Sequence, residues 1–197
     1  MPPSLAGTVG DLVQRGVLLQ LVLVPQLTAP GGAPAFASWV AQVLSVLKPV
    51  QLVAIGTGGP TRGSSAATVA SYTVAGLTAA RQAPSPPTAG VMWLDGGTES
   101  ADAPVWSSLE SAGAWSQTSF VARALDAAGA CPSPAAFAAT LRRHPAAAGL
   151  PVMSEAVQAP APASWVAADG SCLRGSVAQG PAASVAMWRL WEGPVSK

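Results

Sequence analysis

The stretch GGPTRGSS at residues 58–65 is the sharpest chemical pattern in the chain. Gly58 and Gly63 have the spacing of G-x-x-x-x-G-K-[ST], but Ser64 stands where the Lys belongs and Ser65 closes the pattern. Backbone N–H groups at the start of a helix can hold an anion without that Lys, so Gly58, Gly63, Ser64 and Ser65 form a candidate anion-binding loop. Arg62 is one residue out of place, and nothing else nearby reaches a β- or γ-phosphate. Nucleotide hydrolysis is therefore not expected. The competing reading is a plain Gly/Pro-rich connection between strand and helix.

Other catalytic chemistry is thinly supplied. The chain has a single His, His144, which follows two Arg and precedes Pro145, as a helix-capping or surface group would. Cys131 and Cys172 are not in C-x-x-C spacing and read as small buried hydrophobes. No G-x-S-x-G elbow occurs. Asp95 has the best position of any acid, at the end of a strand, although capping the turn at Gly96 and Gly97 accounts for it better. No catalytic residue, metal ligand or cofactor is assigned.

Seven Trp against three Phe and one Tyr is an unusual balance. Trp39, Trp93 and Trp106 fall on core-facing positions of expected elements. Trp165, Trp188 and Trp191 lie in the tail, where too little apolar mass surrounds them, and they are the candidate partner-binding residues. Packing of the tail onto the body would consume the same side chains.

The elements that must position these groups follow from hydrophobic spacing. The run VLLQLVLV at 17–24 reads as a strand buried on both faces, and residues 50–55 and 90–95 read likewise. Phe36, Trp39, Val40, Val43, Leu44 and Leu47 form one helical stripe. Ser64 or Ser65 can cap a second helix running to about Arg81, with Val69, Tyr72 and Leu77 inward. Asp102 and Pro104 suit a third helix start, with Val105, Trp106 and Leu109 on its inner side. Helices are also expected over 116–128 and from Pro134 to about Arg143. Strands alternating with helices require crossovers, so the expected fold is α/β, a parallel sheet of at least three strands flanked by helices. A C-terminal β hairpin or meander should turn at Asp169 and Gly170 and end in a strand at 183–191. The expected division is an α/β core over 1–150, then a Pro/Ala linker and β-rich tail over 151–197.

Composition narrows the function classes. Only 10% of the 197 residues are charged and the net charge is +1, which gives neither a phosphate backbone nor an anionic membrane surface an electrostatic hold. The eight-residue apolar run ending at Pro25 is too short to span a membrane and lacks the flanks of a secretory signal. A cytoplasmic protein without nucleic-acid or membrane partners is expected.

Over residues 19–109 the chain resembles the proteasome assembly chaperone family, in particular the first member of its heterodimer. The matching features are the strand at 19–24, the Trp-bearing helix SWVAQVL at 38–44, the strand QLVAI at 51–55, and the Ala-rich helix leading into VMWLD at 91–95. They cover under half of the chain. The resemblance implies a non-catalytic protein with a core like that of purine nucleoside phosphorylases, acting as a heterodimer on the proteasome α-ring. Some members dock a hydrophobic-Tyr-x tail, whereas this chain ends PVSK at 194–197 without a Tyr. The expected function is thus a non-enzymatic interaction module, an assembly chaperone or accessory subunit with protein partners in a hetero-oligomer. The alternative is an enzyme or binding protein for a phosphorylated or nucleoside ligand at 58–65.

Overall fold

Every side chain from Leu19 to Val24 is fully buried, as a strand needs to be when it lies inside a sheet covered on both faces. It belongs to a computed structural model that describes residues 18–47, 50–57, 63–94, 99–125, 134–156 and 185–192, together with a few positions between 7 and 15. Strand β1 (Leu18–Val24) leads to helix α1 (Gly32–Val46), strand β2 (Leu52–Thr57), helix α2 (Ala66–Arg81), strand β3 (Thr88–Trp93) and helix α3 (Glu99–Ser111). A 3₁₀ turn (Ala114–Gln117) then precedes strand β4 (Phe120–Leu125), helix α4 (Pro134–Arg143), strand β5 (Val152–Ala156) and strand β6 (Val185–Trp191).

The six strands form one sheet in the order β5-β4-β3-β2-β1-β6, and every neighbouring pair is parallel. The α/β architecture and the three expected parallel strands are therefore present, shifted by one to two residues. Leu19, Leu21, Leu23, Val53, Ile55, Val91, Trp93 and Val121 share one core cluster with the inner sides of the helices. On the other face Val22, Val24, Ala54, Met92, Phe120 and Ala122 make a second, smaller cluster. Gly90 belongs to that face because of Phe120: a Cβ there would lie 2.5 Å from the Phe120 carbonyl oxygen and 2.6 Å from its ring.

Helices α1 and α2 follow the expected stripes. Phe36, Trp39, Val40, Val43 and Leu44 are buried on α1, and Val69, Tyr72 and Leu77 on α2. Two expectations are corrected. Residues 120–125 lie in a strand, not in a helix over 116–128: Phe120, Val121 and Ala122 are buried in succession, and pairing with Gly90, Val91 and Met92 outweighs the helix preference of the Ala, Arg and Leu that surround them. Helix α3 begins at Glu99, which leaves Pro104 inside it and not at its start. The strand expected at 183–191 is present as β6, which runs parallel to β1 with Trp188 opposite Leu21 and Trp191 opposite Val24. The turn expected at Asp169 and Gly170 lies outside the described residues. Both β5 and β6 come from the 151–197 segment, and they form the two opposite edges of the sheet.

Candidate functional site

In an open parallel sheet the carboxyl ends of the strands are where ligands gather. Thr57 ends β2 there. It is fully buried, and its Oγ1 has no hydrogen-bond partner. The candidate anion loop follows it. Gly58 and its neighbours to residue 62 lie outside the described residues. Gly63 has φ +90°, a conformation open to Gly and strained for most L-residues. Ser65 caps α2: its backbone is extended, its Oγ accepts a 3.1 Å hydrogen bond from the Thr68 N–H, and it lies 2.7 Å from the Thr68 hydroxyl. The Ser65 hydroxyl is thus engaged by the first turn of its own helix. Ser64 is half-buried beside it.

The same end of the sheet is tied together at β6. Glu192 donates its N–H to the Val24 carbonyl (2.9 Å) and accepts from the Gln26 N–H through Oε2 (2.8 Å). The buried Tyr72 phenol donates to the Leu27 carbonyl at 3.4 Å. Burial raises the pKa of Tyr72 above its ordinary value, and the Glu192 charge adds to the effect.

An aromatic column crosses the helix-bearing side. Trp93 and Trp106 stack with centroids 4.0 Å apart at 11°, Trp115 lies 5.3 Å from Trp106, and His144 lies 5.5 Å from it at 14°. His144 Nδ1 is 2.8 Å from Glu110 Oε2, with the imidazole 14% exposed. An imidazole held by a carboxylate is the orienting half of a general base. Its place argues for a structural clamp. Glu110 and the residue after Arg143 sit where α3 and α4 return the chain to the amino ends of the strands, away from the ligand-gathering end. Among the described residues no three His, Cys, Asp or Glu side chains are grouped as a metal site.

Of the tail residues singled out, Trp165 lies outside the described residues, whereas Trp188 and Trp191 both lie on β6 at the edge of the sheet. Asp95 also lies outside them. Trp39, Trp93 and Trp106 are buried as expected. Sequence reasoning missed the Glu110–His144 pair, because its members are 34 residues apart and meet only through the packing of two helix ends. Among the described residues no helix is long and apolar enough to cross a membrane. Comparison of the chain with family models, with curated proteins and with solved structures finds no match.

Proposed function

We propose that the chain is a non-enzymatic protein-interaction module, an assembly chaperone or accessory subunit that joins protein partners in a hetero-oligomer, and that it does so in the cytoplasm. The observation that carries this reading is β6, a seven-residue edge strand of sequence VAMWRLW that bears two of the seven Trp. Edge strands are templates for pairing with other chains, and Trp is enriched among residues that anchor interfaces. The resemblance of residues 19–109 to proteasome assembly chaperones points to the same class. Mass spectrometry of proteins that co-purify with the untagged chain should return stoichiometric subunits of one complex. Trp188→Ala with Trp191→Ala should release them while the melting temperature holds. A collapsed melt would assign both Trp to the core, and partners retained at full stoichiometry would remove β6 from the interface.

The orphan hydroxyl of Thr57, next to the loop that enters α2, favours a second reading as a phosphate- or nucleoside-binding protein. Titration calorimetry with inorganic phosphate and with adenosine distinguishes the two. On the first reading neither gives heat, and ATP is not hydrolysed. Binding abolished by Thr57→Val would establish the second.

A further inference from the structure

We draw no further inference here: the strongest candidate, the side-chain cluster of Glu110, His144 and Trp106 at the amino end of the sheet, gathers no third His, Cys, Asp or Glu side chain among the described residues and belongs to the site already described.

Discussion

On the helix-bearing side of the sheet, Ile55, Val91 and Trp93 meet large partners, among them Phe36, Leu77 and Trp106, and the interlock is completed by stacked rings. The opposite side is built from Val22, Val24, Ala54, Met92, Phe120 and Ala122. It also carries Gln20, two residues before Val22 on the same face of β1, which is fully buried with neither amide atom hydrogen-bonded. One side derives its stability from filling volume. The other, in its described residues, brings Gly56 and Gly90 close against Val24, Leu94 and Phe120 and holds a buried polar group without a partner. Truncation of the stacked rings should therefore injure the first side most, and enlargement at Gly90 should injure the second.

The largest effect is expected from Trp106→Ala, which removes the ring that meets Trp93, Trp115 and His144. It should cost about 3–5 kcal/mol in urea unfolding. A loss below about 1 kcal/mol would show that the column is not an interlocked unit. On the second side, Gly90→Ala forces a methyl against the Phe120 backbone and should cost about 1–3 kcal/mol. Gly149→Ala, where nothing lies within 4 Å, should stay within about 0.5 kcal/mol and serves as the control.

Gln20→Met keeps the side-chain length and removes an unpaired amide. It should raise stability by about 1–2 kcal/mol, and a loss of stability would mean that the amide is held by a group on that side.

The smallest effect concerns pH. Tyr72 is the only Tyr, so its phenolate absorbance can be followed alone. With its folded pKa raised above 10.0, the unfolded phenol ionises first. The associated stability is complete below about pH 10 and is lost as pH rises from there through the folded value. Tyr72→Phe should flatten that part of the stability curve. A native titration midpoint at or below that of the urea-unfolded chain would contradict the burial of the phenol.

The helix-bearing side was the more legible of the two from sequence. Helical spacing marked Phe36, Trp39, Val40, Val43 and Leu44 on α1, and the pair Ser64 and Ser65 announced a cap for α2, which the structure places on Ser65, because these signals are local. The runs at β1, β2 and β3 were equally plain, being continuous and rich in Val, Leu and Ile. β4 was hidden because Ala, Arg and Leu favour a helix when read alone, and only the neighbouring Gly90, Val91 and Met92 make residues 120–125 extended. The position of β6 was hidden for a different reason: an Asp-Gly dipeptide is a local turn signal, whereas pairing with β1 is a long-range choice. At the candidate site, the Ser65 cap was readable, but the orphan Thr57 hydroxyl and the Glu110–His144 pair exist only once the chain has closed.

The order in which the chain leaves the ribosome gives the adjacency of β1 and β6 a temporal meaning. Gln26, just past β1, and Glu192, just past β6, are bonded across 166 residues of sequence. At translation rates of about 5–20 residues per second, that separation takes about 8–30 s to synthesise. Throughout that interval one whole side of the wholly buried strand β1 has no partner, even if β2 to β4 have already assembled. Until residues 185–192 emerge, β1 is the open edge of a growing sheet, and its outer pairing row closes only with them.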